Sequence, residues 1–123
     1  MSEGGGRRAD RVAGALRAAL GDIMSRELDD PRLAAVVVTG IAVADDLSTA
    51  RVSVRLLVGE DDARARAAAL RSLTRAAGRM RHLLGPMLDL KKLPALVFAY
   101  DTGPDAARRV DELLREIDGE KPR

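Results

Sequence analysis

The segment from Asp62 to Leu84 has the spacing of one long helix with two unlike faces. Its apolar positions recur at intervals of three and four residues: Leu70, Leu73, Ala77, Met80 and Leu84. Basic side chains occupy roughly the opposite side: Arg64, Arg71, Arg75, Arg79 and His82. Because such a helix must bury its apolar side against a second layer, the chain needs a sheet or further helices to fold.

Strands are predicted before and after this helix in the sequence. Residues 34–59 are rich in β-branched side chains and contain turn-forming residues near their middle, which predicts an antiparallel hairpin. The turn formers are Asp45, Asp46 and Ser48. Residues 94–101, "PALVFAYD", predict a third strand. Its apolar side consists of Leu96, Phe98 and Tyr100.

Helices are predicted at both ends of the chain. Helical spacing extends from Arg7 to near Leu28, and "DDPRL" follows as a turn because Pro31 disfavours helix at the residue before it. A final short helix begins near Pro104. Its apolar residues are Val110, Leu113, Leu114 and Ile117. Gly85 and Pro86 are expected to stop or sharply bend the long central helix.

The predicted order is helix, strand, strand, helix broken at a glycine, helix, strand and an appended helix. This order indicates an α+β domain with its helices on one face of a three-stranded sheet. A length of 123 residues suits one domain. We divide it into a flexible leader over residues 1–6, a globular part over residues 7–101, and a C-terminal helix and tail over residues 102–123.

Charge is distributed unevenly along the chain, although the net charge is only +2. Residues 27–62 contain three basic and eight acidic side chains, whereas residues 63–92 contain eight basic and one acidic. The second of these segments is where an anionic partner is expected to bind. Recognition of RNA by a sheet of aromatic residues is not expected, because the chain has one Phe, one Tyr and no Trp.

Catalytic chemistry finds little support in the sequence. There is no cysteine and one histidine, so a metal site would need carboxylates for its other ligands. The acidic groups at Asp45-Asp46 and at residues 60–62 lie at a predicted turn and helix start, where solvated carboxylates are ordinary. No phosphate-binding glycine loop or serine elbow occurs. We expect no enzyme activity, no cofactor and no metal. Without a long apolar run, no membrane association is expected and the protein is expected to be cytoplasmic.

Gly78 interrupts the basic side of the long helix, where glycine costs about 1 kcal/mol relative to alanine. One interpretation is a tight turn of small residues that lets a nucleic-acid backbone approach, like the GXXG loop of KH domains. Ala76 and Ala77 precede the glycine, and Arg75 and Arg79 lie beside it. The other interpretation is that Gly78 relieves crowding where the helix crosses a neighbour. Spacing alone does not decide between them.

Several short motifs resemble the bacterial ribosome-binding factor A family in their sequence and order. They are "RV" at residues 11–12, "DPRL" at 30–33, "DDLSTARVSV" at 45–54 and "LVFAYD" at 96–101. In that family an Ala-x-Gly kink between two helices replaces the GXXG loop, and residues 76–78 match it. The chain departs from the family pattern at Ala95, where an acidic residue is usual, and at residues 91–93. The resemblance implies a type II KH-like fold.

The resemblance to this family also implies that the protein is a ribosome assembly factor that binds the 5′ region of 16S rRNA within free or immature 30S subunits. Such a factor assists late 30S maturation and 16S rRNA processing, is linked to growth in the cold, and takes no small-molecule substrate. We expect a monomer. The alternative is a KH-shaped protein-interaction module without direct RNA contact. The expected RNA-binding residues are Arg7, Arg8, Arg11, Arg71, Arg75, Ala76, Ala77, Gly78, Arg79, Arg81, His82, Lys91 and Lys92.

Overall fold

The computed structural model describes residues 3–26, 30–57 and 62–103, together with Glu112 and Arg115. Its elements are α1 (Glu3–Arg26), α2 (Pro31–Ala34), β1 (Val36–Val43), β2 (Thr49–Leu56), α3 (Ala63–Met87) and β3 (Ala95–Tyr100). The strands form one sheet in the order β1-β2-β3, with β1 antiparallel and β3 parallel to the central β2. The predicted α+β class and three-stranded sheet are confirmed.

The helices cover one face of this sheet. On β2, Ala50, Val52 and Val54 are completely buried, whereas the alternate residue Arg51 is exposed on the opposite face. Helix α1 packs against β1, α3 packs against β3, and the two helices contact each other. The core between them is aliphatic. Its largest fully buried side chains include Leu16, Leu20, Ile23, Leu33, Leu73, Met80 and Leu84.

The β1–β2 turn is held by one carboxylate. Asp46 Oδ1 accepts the backbone N–H of Ser48 at 3.0 Å and the Ser48 hydroxyl at 2.6 Å. Between them, Leu47 has a φ of 61°, a left-handed conformation that costs roughly 1–2 kcal/mol for a residue with a Cβ. The Asp46 hydrogen bonds hold the backbone in this conformation. The turn predicted at Asp45, Asp46 and Ser48 is therefore confirmed, and the hydrogen bonds to Asp46 are its physical cause.

Side chains also secure the end of β3. The hydroxyl of Thr39, on β1 at the other side of the central strand, donates to Asp101 Oδ2 at 2.8 Å. The backbone N–H of Leu56 donates to the Tyr100 hydroxyl at 2.9 Å, and the Arg66 guanidinium lies 4.8 Å from the centre of the Tyr100 ring. The side chains of Tyr100 and Asp101 thus connect the end of β3 to β1, β2 and α3.

The expected break of the long helix at Gly78 is not observed. Helix α3 is uninterrupted from Ala63 to Met87, and Leu88 closes it by donating its N–H to the Leu84 carbonyl at 3.1 Å. Glycine adopts helical backbone angles without steric cost, so Gly78 lowers the stability of the helix without ending it. The predicted stop at Gly85 and Pro86 is confirmed, since α3 ends at Met87, one residue after the proline, which has no N–H to donate to the carbonyl four residues before it.

Smaller differences occur toward the chain ends. Helix α1 begins at Glu3, before the predicted start at Arg7, because the intervening glycines also adopt helical angles. The expected turn at "DDPRL" contains the one-turn helix α2, in which Pro31 occupies the first position and needs no hydrogen-bond partner. The predicted C-terminal helix lies outside the described residues, apart from Glu112 and Arg115, whose backbones are helical.

Candidate nucleic-acid interface

The outer side of α3 carries a row of basic side chains, which we call the α3 row. Its members are Arg71, Arg75, Arg79 and His82, all of them exposed. Their spacing of three or four residues places them on one side of the helix, and at 1.5 Å per residue the row is about 16 Å long. The opposite side of α3 is anchored in the core, so the helix presents the row from a fixed position.

Gly78 lies within the α3 row and is exposed. A Cβ built at Gly78 has no described atom within 4 Å, other than its chain neighbours and its own helix backbone. Alanine would fit there, so crowding against another element does not explain this glycine. The structure thereby removes one of the two interpretations. What Gly78 provides is open space above the helix backbone, flanked by arginines.

The residues before Gly78 are placed differently. Ala76 and Ala77 are half-buried, and Ala76 packs against the hydrophobic core. Because the helix is continuous, these two alanines turn toward the sheet and only the glycine faces outward. The expected turn over these three residues is therefore absent, and Gly78 alone of the three faces outward.

Arg81 lies on a different side of α3 from the row. Its Nη2 atom donates to the Leu93 carbonyl at 3.2 Å, in the segment that connects α3 to β3. This segment, residues 88–94, is called the α3–β3 connection below. Arg81 therefore helps to hold the connection that carries Lys91 and Lys92, two of the expected RNA-binding residues.

A second group of expected site residues meets where α1 approaches the α3–β3 connection. Arg8 and Arg11 line a cavity of about 280 Å³ together with residues 88–90. Arg8 also lines a cavity of about 250 Å³ with Lys91 and Lys92, beside the β1–β2 turn. Arg7 is exposed on α1 but lines neither cavity. The fold thus brings together cations that are some eighty residues apart in the sequence.

Residues that sequence reasoning missed complete these cavities. They are Val12, Ala15, Asp46, Leu47, Ser48, Leu88, Asp89 and Leu90. The sequence offers no signal that they line a cavity, because residues of a helix, a turn and a loop come together only when these segments pack. Ala95, one of the departures from the family pattern, is exposed at the start of β3, where its backbone N–H donates to the Ser48 carbonyl at 2.9 Å.

Two carboxylates, Asp46 and Asp30, accept hydrogen bonds that lower their pKa values. Hydrogen bonds from the hydroxyl and the backbone N–H of Ser48 lower the pKa of Asp46. The backbone N–H of Arg32 is the main cause that lowers the pKa of Asp30, and the charge of Arg75 adds a smaller effect. A general acid at neutral pH needs the opposite shift. Among the described residues, no group of three or more metal-ligating side chains is placed to hold a metal ion.

The described helices also contain no segment that is both long and apolar enough to cross a membrane.

A family model described as ribosome-binding factor A matches residues 8–114. The chain belongs to the ribosome-binding factor A family. Ribosome-binding factor A from Sorangium cellulosum is 48% identical over 111 residues, which cover 90% of this chain and 89% of the relative. The Syntrophobacter fumaroxidans protein of the same name is 40% identical over 111 residues, covering 90% and 94%.

Solved structures of ribosome-binding factor A show the same similarity. The crystal structure from Thermus thermophilus has a TM-score of 0.65 at 28% identity and covers 75% of this chain and 93% of that one. A homology model of the Thermus thermophilus factor, fitted into a cryo-EM map of a 30S–RbfA complex, has a TM-score of 0.57 at 30% identity. It covers 71% of this chain and 88% of that one.

Proposed function

We propose that this chain is a cytoplasmic ribosome assembly factor that binds 16S rRNA within free or immature 30S subunits. Family membership supports this proposal, as does similarity to a factor fitted into a 30S complex. The observation that carries the RNA contact is the α3 row, in which exposed basic side chains surround the open position at Gly78. The function requires no catalytic step.

The α3 row suits the phosphate backbone. Arginine presents a planar fork of donors that matches phosphate oxygens and also stacks on exposed bases. Arg71 and Arg75 are one helical turn apart, and Gly78 follows on the same side. An RNA strand that crosses the helix at Gly78 therefore approaches the helix backbone closely while neighbouring arginines contact its phosphates. Arg79 and His82 extend this surface, and Arg81 acts through the α3–β3 connection.

In this mechanism the protein works by occupancy. It holds one conformation of the immature rRNA and excludes later partners until the subunit is mature, after which it leaves. The resemblance to the family directs the proposal to the 5′ region of 16S rRNA, to late maturation and rRNA processing, and to growth in the cold.

Co-sedimentation with purified ribosomal particles tests the proposal. The protein should bind free small subunits and bind joined ribosomes much more weakly. Its affinity should fall steeply with salt, with a slope of about 0.7–0.9 in log K per phosphate contact. Equal binding to joined ribosomes would contradict the assembly role. Association that survives nuclease removal of accessible rRNA would favour the protein-interaction alternative.

A matched pair of double variants tests the location of the contact. Arg71→Gln with Arg75→Gln removes two charges from the α3 row, whereas Arg17→Gln with Arg51→Gln removes two exposed charges from α1 and the open sheet face. We expect the first pair to lower the salt slope by about 1.5 and the second to leave it nearly unchanged. Equal effects of the two pairs would show that the net charge matters and the row does not.

A further inference from the structure

An apolar cavity lies between α1 and the α3–β3 connection, away from the α3 row. Its volume is about 280 Å³, near the lower end of the roughly 300–1,000 Å³ that small-molecule sites occupy. Arg8, Arg11 and Asp89 are the charged residues at its edge. Its apolar lining comes from Val12, Ala15, Leu88 and Leu90. This cavity has room for one small ligand group and none for a duplex.

A more polar recess adjoins this cavity. It has a volume of about 250 Å³ and is lined by Lys91, Lys92 and the β1–β2 turn. Arg8 and Leu90 line both spaces, so the two adjoin each other, and we call them together the groove, with an apolar and a basic part. A ligand that contacts both parts needs an apolar group joined to an anion.

The cations of the groove are available to such an anion. Within the described part of the chain, Arg8, Arg11, Lys91 and Lys92 form no ion pair. The groove also contains two carboxylates. Asp46 already accepts both donors of Ser48, and Asp89 lies on the apolar side. The basic part therefore has an excess of positive charge, which favours an anionic ligand.

We propose that this groove binds one unpaired nucleotide of the RNA, with its base in the apolar cavity and its phosphate beside Lys91 and Lys92. The proposal rests on the RNA-binding function proposed above and adds a second contact that reads single-stranded RNA. An unpaired base exposes its faces, and apolar side chains together with the Arg8 guanidinium plane bind such faces. A base inside a duplex is stacked and paired and does not reach the cavity.

Ala15→Leu is the variant that separates this contact from general electrostatics. Ala15 lines the cavity from an exposed position of α1, so leucine fills the cavity without changing charge and without breaking the helix. Ala18→Leu is the matched control, because Ala18 is an exposed residue of the same helix that lines neither part of the groove. Fluorescence anisotropy of the full chain with a short single-stranded oligoribonucleotide, and with its duplex, measures both variants.

We expect Ala15→Leu to weaken single-strand binding roughly tenfold, to leave duplex binding unchanged and to keep the wild-type salt slope. Ala18→Leu should bind both probes like the wild type. The double variant Lys91→Gln with Lys92→Gln should lower the slope of log K against log salt for single-strand binding by roughly 0.7 for each phosphate that the lysines no longer neutralise.

A second measurement needs no variant. In the wild type, the oligoribonucleotide should shift the methyl NMR signals of Val12, Leu88 and Leu90.

Single-strand binding by Ala15→Leu that equals the wild type, or equal weakening by both alanine variants, would overturn the nucleotide site. Unchanged methyl signals of Val12 and Leu90 at saturating oligoribonucleotide would overturn it as well. Failure of the proposed function can be distinguished from failure of the nucleotide site, because in the first case the wild type would not bind free small subunits. Wild-type binding to subunits together with an unaffected Ala15→Leu variant removes the nucleotide site alone.

Discussion

Replacing Gly78 by alanine should stabilise the protein. The residue lies inside α3, and its Cβ would meet no described atom within 4 Å beyond the helix backbone and chain neighbours. Alanine is favoured over glycine by about 1 kcal/mol in a helix interior, with no packing penalty here to offset the gain. For a domain of this size the unfolding temperature should rise by about 4 °C.

Urea unfolding followed by circular dichroism provides the measurement. The midpoint should rise while the slope with denaturant stays constant, because the change in exposed surface is the same. Gly21→Ala is the matched control, since Gly21 lies in α1, is exposed and has equally open space around its Cβ position. Both variants should gain a similar amount. A loss of stability in Gly78→Ala alone would refute the inference that the glycine has no packing role.

Gly78→Leu then tests what the open space is for. Leucine is also a good helix former, so the folded protein should be at least as stable as the wild type. A side chain projecting into the α3 row would displace a nearby phosphate and cost one charge-assisted hydrogen bond, about 1.5–3 kcal/mol, or roughly ten- to hundredfold in affinity for free small subunits. Unchanged affinity of the folded variant would refute a role for Gly78 in close approach.

Three further predictions concern stability. Asp62→Ala should cost about 1 kcal/mol in urea unfolding, because the Asp62 carboxylate accepts the Ala65 N–H at 2.8 Å and caps α3. Thr39→Val should cost about 2 kcal/mol by the same measurement, since it removes the hydrogen bond from a buried hydroxyl to Asp101. The folded-state pKa of Asp46 lies below its ordinary 3.8, so its stabilising contribution is complete above that pH and is lost as the pH falls through the folded value. Asp46→Asn should therefore show a shallower loss of thermal stability than the wild type below about pH 4.

The sequence predicts the elements of this fold well because each has a local signal. Apolar spacing identified the buried side of α3, including Leu73, Met80 and Leu84. The alternation in "ARVSV" identified the strand that became central, and Asp46 with Ser48 identified its turn. The local signal at Gly85 and Pro86 correctly marked the end of α3. The signal at Gly78 failed, because a helix packed along its length on a sheet tolerates an unfavourable residue that would interrupt an isolated helix.

The site was predictable only as a set of charges. Exposed arginines at helical spacing on α3 could be assigned to one surface from the sequence, because their relative positions follow from the helix itself. The meeting of Arg8 with Lys91 and Lys92 could not, since it depends on how α1 packs beside the α3–β3 connection. The half-buried position of Ala76 follows from the continuity of α3, which the sequence did not predict.

The parallel pairing of β3 with β2 has a consequence for the order in which the binding surfaces form. Because α3 is the crossover between these strands, β3 joins the sheet only after the chain has returned across it, which makes this pairing a long-range step of folding. The α3 row is complete once its helix has formed. The groove beside Lys91 requires the connection to be docked and therefore reports complete folding. A chain caught before that step would carry the α3 row without the groove.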